Sequence, residues 1–132
     1  MKSTLLFAIL LWGLSAPAKD LSECSAEAVS TFDHYQCLEL EAKKQSDHLT
    51  AVYSDLSQYL KESFGSESEE SLRLGKAQNA WTIFTDLNCS FEGAAMLGGT
   101  SEEILAHQCR IRESQKRVEE LLRQMKQFDD SL

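Results

Sequence analysis

The 132-residue sequence has a single proline, Pro17, so beyond it no residue lacks the backbone N–H that a helix needs. Nothing downstream is barred from long, uninterrupted helices. Alternating apolar and polar runs of strand type are also missing, which argues against a sheet. Basic charge is scarce: 13 Lys and Arg stand against 21 Asp and Glu, a formal net charge of −8. Phosphate-rich partners would be repelled, which excludes a nucleic-acid binder and an anionic-lipid binder, while cationic partners would be attracted. His34, His48 and His107 share no ligand spacing with one another, so no metal site or cofactor is expected. No serine, histidine and acid arrangement marks a nucleophile. The expected protein is not an enzyme.

What is present begins with Met1-Lys2, the apolar run Leu5 to Leu14 and Ser15-Ala16-Pro17-Ala18. Together these read as the charged, apolar and cleavage regions of a secretory signal peptide over residues 1–18. The run is far shorter than the roughly 20 residues that cross a bilayer. Residues 19–132 then form one expected domain, periplasmic or secreted, with no membrane span after cleavage. Removing the leader deletes Lys2 and no acid, moving the charge from −8 to −9. All four cysteines lie beyond the cleavage point, and an even count in a small exported chain reads as two disulfides.

Periodicity predicts an all-α fold. From Phe32 onward, Tyr35, Leu38, Leu49, Val52, Tyr53, Leu56, Tyr59, Leu60 and Phe64 recur at helical intervals until Gly65, with Ser30 and Asp33 as a capping box at the start. A second helix is expected after Gly65-Ser66, with Glu67, Glu69 and Glu70 in its first turn and Leu74, Ala77, Trp81, Phe84, Leu87 and Phe91 as its buried stripe. Gly98-Gly99 is expected to end it. Thr100 and Glu103 would cap a third helix with the seam Ile104, Ile111, Val118, Leu122 and Met125. The architecture is therefore a small antiparallel bundle of about three helices plus a short N-terminal segment.

Cys89 and Cys109 each lie ten residues from Gly99. In an antiparallel hairpin they would face each other within disulfide range. Cys24 would then pair with Cys37, which requires the segment before Ser30 to fold back on the first helix. Spacing alone leaves the other two connectivities open. Asn88-Cys89-Ser90 matches a glycosylation sequon, but a mid-helix position beside a disulfide makes the match a coincidence. Trp81 is expected to be buried, with its indole nitrogen hydrogen-bonded and Gln78 and Asp86 as polar neighbours in the packing.

The run from Ala77 to Asp86, AQNAWTIFTD, followed by Cys89, Gly98-Gly99-Thr100, Cys109 and Arg117, resembles the LprI-type lysozyme inhibitor domain of exported bacterial proteins. That family reads approximately L-x-x-A-Q-R-A-W-I-x-F-R-D-x-x-C, then G-G-S, C and a late R. Thr31, Cys37, Asp47, Leu49 and Tyr53 fit its upstream pattern, so the likeness runs from Cys24 to about Leu122. Asn79 and Thr85 stand where the family has arginines. The resemblance implies a disulfide-stapled helical protein of the bacterial envelope in which Tyr53, Gln78, Trp81, Phe84, Asp86 and Arg117 are motif positions of the core. It also implies a non-catalytic inhibitor of lysozyme-type hydrolases; the other reading is an envelope-binding, immunity-type or structural module with a different partner. For a cationic lysozyme, two exposed elements offer contact: the Gly98, Gly99, Thr100 turn and the acidic loop carrying Glu67, Glu69 and Glu70.

Overall fold

The computed structural model describes residues 21–131, so the leader and its cleavage point lie outside the described residues. Four α-helices follow in order: α1 (Leu21–Glu27), α2 (Thr31–Phe64), α3 (Glu69–Gly93) and α4 (Thr100–Asp129). No strand occurs among the described residues. Local chemistry sets the ends of α2 as the sequence predicts. Ser30 Oγ accepts the Asp33 N–H at 3.1 Å and donates to the Asp33 carboxylate at 2.8 Å, satisfying a donor that the first turn leaves open. At the other end Gly65, at φ 102°, donates its N–H to Lys61 O in a conformation that side chains disfavour.

The long helices run up, down and up, with α2 and α4 parallel and α3 antiparallel to both. One end is filled by Leu38, Ile111 and Cys24, with Leu21, Ala42 and Ile104 against them. The middle and far end are filled by Leu49, Val52, Leu56, Leu60, Leu74, Val118 and Leu121, with Tyr59, Met125 and Phe128 packed alongside. The disulfides are Cys24–Cys37, which straps α1 to α2, and Cys89–Cys109, which clamps α3 to α4 with a Cα separation of 5.3 Å. Both are the pairings that the hairpin argument favours.

Three details of the expected helices are corrected. The third long helix buries Leu121, not Leu122, on its seam. Its start is not a Thr100 capping box: Thr100 is already helical, Gly99 precedes it, and the Glu102 carboxylate accepts the Gly98 N–H at 2.7 Å. At the second long helix, Ser68 is the N-cap and accepts the Ser71 N–H, so Glu69 and Glu70 lie in the first turn and Glu67 precedes it.

Helix α3 also stops at Gly93 rather than at Gly98-Gly99, passing into a single 3-10 turn, Ala94–Met96. Gly93 is also a tertiary contact. A Cβ on Gly93 would stand 2.9 Å from Glu102 O and 3.4 Å from the Ala106 methyl, so α4 approaches α3 as closely as a glycine permits. Gly93→Ala is expected to destabilise by about 1 kcal/mol net, because displacing a backbone oxygen outweighs the roughly 0.5–1 kcal/mol that alanine gains in helix propensity. Urea denaturation checks it, and a Gly93→Ala protein more stable than the parent would refute the close approach.

Candidate functional site

Helix α3 has a mixed inward face and an apolar outer one. Leu74, Gln78, Trp81, Thr85 and Cys89, spaced four, three, four and four apart, face the bundle. Of the expected stripe Leu74, Ala77, Trp81, Phe84, Leu87 and Phe91, Leu74 is buried and Trp81 half-buried, whereas Ala77, Phe84, Leu87 and Phe91 are exposed. Each step of three falls about 60° short of a full turn at 100° per residue, so the steps from Trp81 to Phe84 to Leu87 rotate away from the core. The Cys89–Cys109 bond fixes the other face inward. Phe84, Leu87 and Phe91 are consequently 61, 69 and 78% exposed, and Ile83 joins them on the outer side. Phe84 is thus not a core residue. Exposed Met96 and Leu97 lie next along the chain, so the apolar surface leads to the Gly98-Gly99 turn.

That turn and the acidic loop are not brought together. Gly98 and Gly99, at φ 91° and 75°, lie with Thr100 at the end of the bundle where α4 begins. Glu67, Glu69 and Glu70 lie at the opposite end, where Glu69 is paired to Arg73 at 2.8 Å. The turn borders the exposed apolar surface and the acidic loop does not.

Most of the motif residues gather midway along the bundle. A cleft of about 360 Å³ between α2, α3 and α4 is lined by Tyr53, Gln78, Trp81 and Asp86 together with Thr85 and Arg110, among others. Gln78 also accepts a hydrogen bond at 3.0 Å from Nε of Arg117, whose guanidinium reaches Glu120 at 2.6 Å. Arg117 is buried, and the Gln78 link ties α3 to α4. Trp81 is only half-buried, packed on the core edge, and its indole nitrogen bonds to no described residue; the expected full burial and hydrogen bond are both corrected. Asp86 is exposed at the cleft edge, so it is not a core residue. Thr85, in the place of a family arginine, is 5% exposed and its hydroxyl lacks a partner.

Nearby on α4, His107 sits against the Tyr35 ring with centroids 5.5 Å apart. Burial, and then the Arg110 charge, hold its imidazole below the ordinary value, against an opposing pull from Glu103 and Glu39. At Asn88 the side chain is half-buried and donates to Glu92 at 3.3 Å, as befits a helix position rather than an open acceptor. Among the described residues no cluster of His, Cys, Asp and Glu could hold a metal, and no helix is long and apolar enough to cross a membrane.

The sequence signal for the outer face of α3 was present but entangled. Two stripes share one helix, and only Cys89, as the residue obliged to meet a partner helix, tells which turns inward. A family model described as Lysozyme inhibitor LprI matches residues 22–121. No curated protein and no solved structure matches the chain.

Proposed function

The chain belongs to the LprI lysozyme inhibitor family, the matched segment taking in most of the described bundle, and from this premise we propose that it is an exported, non-catalytic inhibitor of a cationic lysozyme-type hydrolase. The observation that carries the reading is the outer face of α3. Ile83, Phe84, Leu87 and Phe91 are large, exposed and contiguous on one side of a helix whose other side is fixed in the bundle. Contiguous apolar surface of this kind marks protein contact, and aromatic residues supply much of the binding energy at such interfaces. The adjoining Gly98-Gly99-Thr100 turn lies at the tip of the α3–α4 hairpin that the Cys89–Cys109 bond clamps, and extends the exposed surface.

Charge gives the partner its sign. A net charge of −8 attracts a basic enzyme over long range, while the apolar face supplies contact that salt does not screen. Glu67, Glu69 and Glu70, at the far end of the bundle, belong to attraction rather than to occlusion. Two disulfides and family membership support export, to the periplasm or beyond.

Titration of lysozymes of several types with the oxidised protein tests the reading. The parent is expected to inhibit at least one type. A Leu87→Glu, Phe91→Glu double variant should weaken inhibition by about 30-fold or more, the loss of a 2 kcal/mol hot spot, with unchanged melting. Changing Glu67, Glu69 and Glu70 to Gln should alter the salt dependence with only a few-fold loss, as expected of charges outside the contact. No inhibition by the well-folded parent would reject the inhibitor and leave the envelope-binding or immunity-type module. Full inhibition by the double variant would reject the α3 face.

A further inference from the structure

We propose that the cleft midway along the bundle binds a small zwitterion of the amino-acid class, with its carboxylate on Arg110, its ammonium on Asp86 and an apolar side chain against Trp81. The cleft's volume of about 360 Å³ lies within the range of about 300–1,000 Å³ typical of small-molecule sites. Its lining mixes an apolar wall, Leu49 and Trp81, with a few polar groups that have no other task.

Thr85 is one of those groups. It lines the cleft from α3, it is more than nine-tenths buried, and its hydroxyl oxygen has no hydrogen-bond partner in the protein. Buried hydroxyls are ordinarily paired, so this one is an unmet donor and acceptor in the cleft wall, reached by a bound molecule only when the side chains over it part. The second signal is charge. Asp86 on α3 and Arg110 on α4 both line the cleft, yet no ion pair or hydrogen bond joins either to the other or to any described residue. Along the same α4, Arg112 is tied to Glu92 and Arg117 to Gln78 and Glu120. Arg110 is therefore a guanidinium left open beside the cleft, with its fork free for a carboxylate.

The signs select the ligand. A simple anion would gain from Arg110 and be repelled by Asp86, and a simple cation the reverse. A neutral sugar could use the hydroxyls but would engage neither charge. A zwitterion satisfies both at once, and the half-buried Trp81 ring favours an aliphatic or aromatic side chain beside them.

Calorimetric titration of the oxidised protein with phenylalanine tests the assignment, with N-acetylphenylalanine, phenylalaninamide and N-acetylglucosamine as controls. Phenylalanine is expected to bind and each control to bind at least about 10-fold more weakly, since the acetylated acid lacks the ammonium, the amide lacks the carboxylate and the sugar lacks both. Asp86→Asn and Arg110→Gln should each weaken phenylalanine by a similar factor. Arg110→Gln should also erase the difference between phenylalanine and its amide. Thr85→Val should weaken binding several-fold without lowering the melting temperature, because it removes an unpartnered hydroxyl. Absent phenylalanine binding, equal binding of a control, or parent-like affinity in both charge variants would each overturn the proposal. No lysozyme is present in the titration, so its outcome is independent of the inhibitor reading.

Discussion

Replacing Cys89 and Cys109 together by alanine is expected to lower the unfolding free energy by about 3 kcal/mol, the chain-entropy value for closing a loop of this length. The bond joins residues 20 apart, and both sulfurs are fully buried between α3 and α4. Alanine leaves small apolar side chains there and no free thiol, so the change reports chiefly on the lost constraint. The consequence should be large because α3 is the helix with least reason to stay. Its inward face is partly polar, through Gln78 and Thr85, and its outer face gains nothing from the fold. Against a typical total of about 5–15 kcal/mol for a domain, 3 kcal/mol removes a substantial share. Guanidinium denaturation of the double variant beside the parent measures it. A loss below about 1 kcal/mol would mean that packing at Gly93 and the Gln78–Arg117 bond hold the hairpin unaided.

The same helix shows where the fold was legible in the sequence and where it was not. Local signals read correctly are those whose partners lie within one turn: Ser30 capping Asp33, Gly65 closing α2, and the regular apolar spacing from Leu49 to Leu60. The hairpin pairing of Cys89 with Cys109 also follows from counting residues about Gly99. Signals set by another helix were not legible. Position 93 needs a glycine because Glu102 O lies against it, a contact that no local pattern announces. Glu41, Gln45, Thr85, Ser114 and Arg117 are buried although their residue types belong outside. Gln45 bonds to Glu41 at 2.6 Å and Arg117 to Gln78 at 3.0 Å, so several enter the interior as mutual partners. Conversely, Phe84 and Phe91 read as core by type and lie outside. Hydrophobicity alone cannot separate a face that packs at home from one reserved for a partner, and the candidate contact surface was hidden for that reason.

The register of α4 carries the other large expected effect. Leu121→Ala should cost about 3 kcal/mol, within the roughly 2–5 kcal/mol that buried leucines lose on truncation, whereas Leu122→Ala should cost less than about 1 kcal/mol. Leu121 is 0% exposed among Leu49, Val52, Leu56, Leu60, Leu74 and Val118, and Leu122 is 48% exposed. The two neighbours differ by about 100° in direction around the helix. From Val118, a step of three reaches Leu121 and a step of four reaches Leu122, and both are permissible for an apolar seam. Geometry selects the shorter step because Leu121 inserts between α2 and α3, where all three long helices meet the same cluster. Truncating it would leave a cavity that backbones held by Leu56 and Leu60 cannot collapse to fill, which raises the cost above simple transfer. Urea melts of the two single variants decide the register. A costly Leu122→Ala beside a mild Leu121→Ala would rotate α4 by one residue and, with it, move Arg117 and Ser114 out of the interior.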